Sequence, residues 1–199
     1  MKKIILSAIA LAAFSFAAQA QTPDLKLGAK AGVNFANLSN SDGDMKTGFH
    51  VGVLAEIFIN EKFSVQPELL YSTQGTKIKN EIGETKWNTD YINVPIMAKY
   101  YVIDGLSVQA GPQVGFLVKS EAKAEDSMAG VEISATGDMK DVTQSVDFGL
   151  NFGAGYELPM GVFFDARYNL GLSKVNKESQ SGTKDYKNGV IQVSVGYKF

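Results

Sequence analysis

The 199-residue chain has no cysteine, a single histidine, a single tryptophan and five prolines. Without cysteine there are no disulfides, no thiol catalysis and no thiolate metal sites. There is no run of basic residues, and acidic residues outnumber basic ones, 21 to 19. That balance argues against nucleic acid as a partner. Long apolar runs are also missing, apart from Ile4–Ala18, which follows Lys2 and Lys3 and precedes Gln19-Ala20. Those 15 residues are short of the roughly 18–20 that a helix needs to cross a bilayer. The small-x-small sequence Ala18-Gln19-Ala20 suits a signal-peptidase site, so residues 1–20 are expected to be a cleaved signal peptide and 21–199 the mature domain. Gln21 is not cysteine, so the lipoprotein route is not indicated. With no second helical span, a membrane could be crossed after export only by a closed β-barrel, because open sheet edges cannot be satisfied in lipid.

What the chain does have is alternation. In Ser145–Ser173 the residues Val146, Phe148, Leu150, Phe152, Ala154, Tyr156 and Leu158 alternate with Asp147, Gly149, Asn151, Gly153, Gly155 and Glu157. After Pro159-Met160-Gly161, the set Val162, Phe164, Ala166, Tyr168, Leu170 and Leu172 alternates with Phe163, Asp165, Arg167, Asn169 and Gly171. A period of two is a β signature, since successive side chains leave opposite faces of a strand. An apolar phase opposite a polar or glycine phase suits lipid outside and a polar interior.

Six more runs repeat the pattern: Leu25–Phe35, Phe49–Ile59, Phe63–Ser72, Asp90–Val102, Leu106–Val118 and Ile191–Phe199. Short breaks lie at Asn60-Glu61-Lys62 and Asp104-Gly105, the latter a strong hairpin dipeptide. Long polar segments lie at Asn37–Lys46, Thr73–Thr89, Lys119–Thr143 and Lys174–Asn188 and read as loops, with some alternation kept at Val131–Ala135. Pro67 implies a bulge or a gap in pairing. Eight runs joined alternately by long and short links match the loop asymmetry of outer-membrane barrels. The expected fold is all-β, an eight-stranded antiparallel up-and-down transmembrane β-barrel located in the bacterial outer membrane.

The segments Leu27–Leu38, Tyr91–Val102, Gly111–Val118 and Val193–Phe199 resemble the PorT-like outer-membrane β-barrel family. That resemblance spans nearly the whole mature chain and implies a porin-family-like barrel; it brings no catalytic residues. A component of a secretion or gliding complex is one role it permits. The terminal Tyr197-Lys198-Phe199 resembles the aromatic-ended signal read by the barrel-assembly machinery, which implies that machinery as a partner during biogenesis.

On the inward phase lie five basic residues, Lys26, Lys30, Lys99, Arg167 and Lys198, and five acidic ones, Glu56, Glu68, Asp147, Glu157 and Asp165. An eight-stranded barrel is just wide enough for its side chains to fill it. Equal numbers of each sign therefore suggest a mutual salt-bridge network, with a narrow ion path or ligand site as the alternative. His50 also points inward; an enzyme would pair it with an aspartate as general base, yet no nucleophile or oxyanion motif stands beside it. Asn40, Asp42 and Asp44 have the spacing of a calcium loop, but Met45 and Val51 stand where an EF-hand needs Gly and Glu. Inward glycines, Gly32 and Gly196 among them, read as relief of crowding. Tyr71, Tyr100, Tyr156, Tyr168, Tyr197 and Phe199 read as interface girdles.

No catalytic, cofactor-binding or metal-binding residues and no cofactor are expected, and the chain is read as not an enzyme. Outer-membrane lipid is the expected surroundings. Lys119–Thr143 carries a net charge of about −3 and Lys174–Asn188 about +2. Such loops leave lipopolysaccharide or a protein as candidate partners. A soluble lipocalin-like binder is the remaining alternative, and it would put the apolar phase inside.

Overall fold

The computed structural model describes residues 25–39, 43–79, 83–128, 131–177 and 185–199. Among them run nine strands: β1 (Leu25–Leu38), β2 (Asp44–Asn60), β3 (Phe63–Lys79), β4 (Gly83–Ile103), β5 (Leu106–Met128), β6 (Val131–Asp138), β7 (Val146–Glu157), β8 (Val162–Gly171) and β9 (Asn188–Lys198). Eight of them close a ring. Each pairs antiparallel with the next in the order β1-β2-β3-β4-β5-β7-β8-β9, and β9 returns to β1 with Ala31 opposite Val195. Closure removes the sheet edges that hydrocarbon would not tolerate. The expected signal peptide lies outside the described residues, as do Asn40 and Asp42.

The alternation is realised strand by strand. Along β1, Leu25, Leu27, Ala29, Ala31, Val33 and Phe35 are exposed while Gly28, Lys30, Asn34 and Ala36 are buried. In β8 the apolar set Phe164, Ala166, Tyr168 and Leu170 faces out and Asp165, Arg167 and Asn169 face in. A lipocalin would reverse these faces, so the soluble alternative is overturned. The apolar phase forms the outer belt of the ring.

Two of the four expected loops are largely strand. Thr73–Thr89 continues β3 and β4 as a ladder in which Thr76 opposes Trp87 and Ile78 opposes Thr85. Lys119–Thr143 holds the rest of β5 and the β6 hairpin, with Glu121 opposite Asp138 and Met128 opposite Val131. The alternation at Val131–Ala135 thus belongs to a real strand. β4 has 21 residues and β5 has 23, against about ten that cross the hydrocarbon. β3–β6 therefore stand as an antiparallel sheet beyond the rim, with about 23 Å of strand in the stretch of β4 from Gly83 to Thr89. At the rim Asp90 opposes Lys119 whereas Tyr91 opposes Leu117, so Val118 is an extra residue. Such a bulge bends the strand where the barrel ends.

The opposite end is closed by tight turns. Gly105 (φ 79°) and Gly161 (φ 89°) occupy the left-handed conformation that two of these turns require. Pro67 gives a gap without a bulge: β2–β3 pairing lapses between Leu54↔Glu68 and Ile57↔Val65 while the register is kept. A missing N–H on the β2 side is the physical reason.

Candidate functional site

Seen from the turn end, the interior begins with a cluster around Glu56. Its carboxylate accepts from the hydroxyls of Ser64 (2.5 Å) and Tyr101 (2.7 Å) and pairs with Lys99 at 3.0 Å and with Lys198. Lys198 also reaches Glu157 at 2.6 Å, and Lys26 meets the same carboxylate at 2.9 Å. Glu56, Lys99 and Lys198 come from three non-adjacent strands and meet because the ring is narrow.

One layer further in, Arg167 donates from both terminal nitrogens to the two oxygens of Glu68, each at 3.0 Å. Lys30 lies 2.9 Å from Glu68 and 3.5 Å from Asp165, and Arg167 Nε is 3.2 Å from Asp165. Gln66 donates to Glu68 at 2.6 Å and accepts from Lys99 at 3.3 Å, joining the two layers. An unpaired ion at such depth carries a penalty of several kcal/mol, which mutual pairing and the added donors offset. The expected salt-bridge network is therefore present for nine of the ten charges.

Above this layer His50 bridges Asn34 and Ser194. Its Nδ1 is 2.7 Å from Asn34 Oδ1 and its Nε2 2.8 Å from Ser194 Oγ. Asn34 Nδ2 donates to Ser72 and to two carbonyls, so its Oδ1 is the acceptor, which puts the imidazole proton on Nδ1. No aspartate touches the ring: Asp165 contacts Ser194, at 3.2 Å. Fully buried and hydrogen-bonded on both nitrogens, His50 is a crosslink of the filled interior. Gly32 stands opposite it in the ladder, and a Cβ there would come within 2.6 Å of the ring. This is the crowding that the inward glycines relieve.

The tenth charge stands apart. Asp147, at the start of β7, accepts from Ser173 (2.6 Å) and Asn188 (2.9 Å) and meets no cation among the described residues. Buried Thr143 and Val175 close over this end, where Thr143 bridges Asn176. The residues that hold Asp147 lie outside the alternating runs, and no spacing in the sequence pointed to them.

On the outer surface, Phe49 and Tyr71 rings lie 6.0 Å apart near the mouth, and Tyr197 and Phe199 5.7 Å apart near the turns. Tyr71 also donates to Asp90 at 2.8 Å. Above this belt the sheet extension sets Lys77 opposite Lys86 and Lys86 opposite Lys123, one row of three lysines across β3, β4 and β5. Cross-strand neighbours are about 5 Å apart, and like charges directly opposed are destabilising. On the same face Asp44 stands opposite Lys77, while Glu121 pairs with Lys119 at 3.0 Å and Asp90 accepts from Tyr71. No group of three or more His, Cys, Asp or Glu side chains that could hold a metal occurs among the described residues.

Residues 17–177 match the family model described as outer membrane protein beta-barrel domain. Comparison with curated proteins returns no match. Among solved structures, the chain is similar to Ail, the attachment invasion locus protein of Yersinia pestis, in complex with the heparin analogue sucrose octasulfate. The identity is 15%, the TM-score 0.51, and the match covers 88% of this chain and 99% of that one. It is similar also to Neisserial surface protein A, at 18% identity and TM-score 0.50, over 88% of this chain and 97% of that one. At these identities the likeness shows the fold.

Proposed function

Because the chain belongs to the outer membrane protein β-barrel domain family, we propose that it is a filled, non-conducting outer-membrane barrel whose work is recognition at the cell surface. The observation that carries this reading is the division of the molecule. The lumen is consumed by buried ion pairs, while β3–β6 rise past the rim as an exposed sheet. Chemistry inside is unsupported, since the one histidine is sealed between Asn34 and Ser194. The protein is accordingly not an enzyme. Residues 1–20 are its cleaved export signal, and Tyr197-Lys198-Phe199 engages the assembly machinery. PorT-like membership rests on the four segments that resemble that family.

The ligand class follows from the row Lys77–Lys86–Lys123. Three lysines in one cross-strand row, with Cβ atoms about 5 Å apart, suit a chain of sulfate or phosphate groups. The neighbouring barrel's complex with a sulfated saccharide supports the same chemistry. An anionic saccharide is the ligand, from a lipopolysaccharide headgroup or from an outside glycan. The test is binding of sucrose octasulfate, and separately of lipopolysaccharide vesicles, to wild type and to the Lys77→Gln/Lys86→Gln/Lys123→Gln variant. A salt-sensitive affinity that falls about tenfold or more in the variant is expected for at least one probe. Equal binding by both proteins to both probes, or none by either, would refute the reading.

A further inference from the structure

Asp147 is the one of the ten inward charges that meets no counter-ion among the described residues. Lys26 is about a third exposed (36%) and solvated. Lys30 and Arg167 pair with Glu68 and Asp165, and Lys26, Lys99 and Lys198 pair with Glu56 and Glu157. No ammonium or guanidinium of those pairs contacts Asp147, whose residue is 7% exposed. An isolated buried carboxylate is costly unless a cation joins it.

Independent of that charge, two buried hydroxyls stand at the same place without hydrogen-bond partners. They are the hydroxyls of Tyr91 and Thr89, in residues each 1% exposed. The Tyr91 hydroxyl lies near Thr89, Asn188 and Asp147 but makes a well-formed hydrogen bond with none of them. Asn93, Gly115 and Asp147 are consecutive partners across β4, β5 and β7. Gly115 keeps the space open: a Cβ there would lie 2.7 Å from Asn93 Oδ1, 3.4 Å from the Tyr91 ring and 3.6 Å from Asp147 Cβ. Buried polar groups in folded proteins are nearly always satisfied, so two orphans beside a lone carboxylate indicate a bound species.

We propose that the mouth of the barrel holds a monovalent metal cation of the sodium type between Asp147, Tyr91 and Thr89, with Asn93 Oδ1 as a further oxygen. The donors are all oxygen, which suits a hard cation. One carboxylate supplies one negative charge, which a single monovalent cation neutralises. Ser173 and Asn188 occupy one lone pair on each carboxylate oxygen and leave others facing inward. The cation would tie β4 and β7 together at the rim, below the sheet extension.

The test uses the full mature protein in detergent, with thermal unfolding followed by gel migration in sodium chloride and in N-methylglucamine chloride at equal ionic strength. At ten times the dissociation constant, sodium should raise the wild-type midpoint by about 3 °C or more. The rise should vanish in Asp147→Asn and shrink in Tyr91→Phe, which keeps the ring and removes only the hydroxyl. Crystals soaked in thallium(I) should give an anomalous peak between Asp147 and Tyr91. Equal wild-type midpoints in the two salts, an undiminished sodium response in either variant, or an absent thallium peak would overturn the proposal and leave ordered water to satisfy the same atoms. If Asp147→Asn fails to fold, Tyr91→Phe and the thallium experiment decide.

Discussion

Consider the removal of the Arg167–Glu68 pair, one partner at a time and then together. Both side chains are essentially inaccessible, at 1% and 0%, and two 3.0 Å hydrogen bonds join them. Arg167→Met leaves Glu68 and Asp165 sharing Lys30, a net charge of −1 in a closed layer. Glu68→Leu leaves Lys30 and Arg167 sharing Asp165, a net of +1. Breaking a buried pair from one side costs about 3–5 kcal/mol, because the surviving charge stays buried. The double variant removes one charge of each sign and keeps the Lys30–Asp165 contact at 3.5 Å, so its layer is neutral again. Its cost should be no more than about 2 kcal/mol, since apolar replacement of a complete pair is often neutral or better. The coupling then amounts to several kcal/mol, well above the 0.3–0.5 kcal/mol or so within which independent sites add. Urea titration in lipid vesicles, with folded and unfolded forms separated on unboiled gels, measures all four corners of the cycle. If the two single losses simply add in the double variant, the residues are solvated separately and the interior is not the dry, filled layer described above.

Two further outcomes test the outer surface and the packing. Val193, 49% exposed, pairs with Ala166 and Val33 at mid-strand, whereas Phe164, 52% exposed, lies two residues from the start of β8. Val193→Arg should cost about 2–4 kcal/mol in bilayers and Phe164→Arg about 0–1 kcal/mol; equal costs would contradict the depth assignment. The Phe163 ring fills the space beside Gly196, with Lys198 Nζ 4.8 Å above its centre. Gly196→Val should therefore lose about 1–3 kcal/mol, partly recovered by Phe163→Ala, and a second substitution that deepens the loss would show that the crowding lies elsewhere.

The eight membrane strands and their two faces were legible in the sequence because the hydrocarbon enforces alternation. A residue such as Val193 has one permitted side, and its neighbours Gln192 and Ser194 the other. That rule stops at the rim. In Thr73–Lys79 and Gly83–Thr89 the buried inner face is polar, with Gln74, Thr76 and Thr89, and the outer face holds Lys77 and Lys86, so the ladder carries no apolar phase and reads as loop. The lysine row was hidden for the same reason, since it exists only once the register is known. The ten inward charges were visible from their phase, but not who pairs with whom. Glu68 and Arg167 are 99 positions apart in sequence, and only the closure of the ring sets them face to face. Equal counts of the two signs suggested complete pairing, and Asp147 departs from it because at the mouth it is held by Ser173 and Asn188.

The central claim is that this barrel is closed by its own side chains. Single-channel recording of the refolded wild-type protein in planar bilayers tests it most directly. Insertion without resolved current steps, alongside the unboiled gel shift of a folded barrel, is the expected result. Reproducible stepwise conductance from the wild-type protein would mean an open aqueous path through the layers of Glu56 and Glu68, and would contradict it.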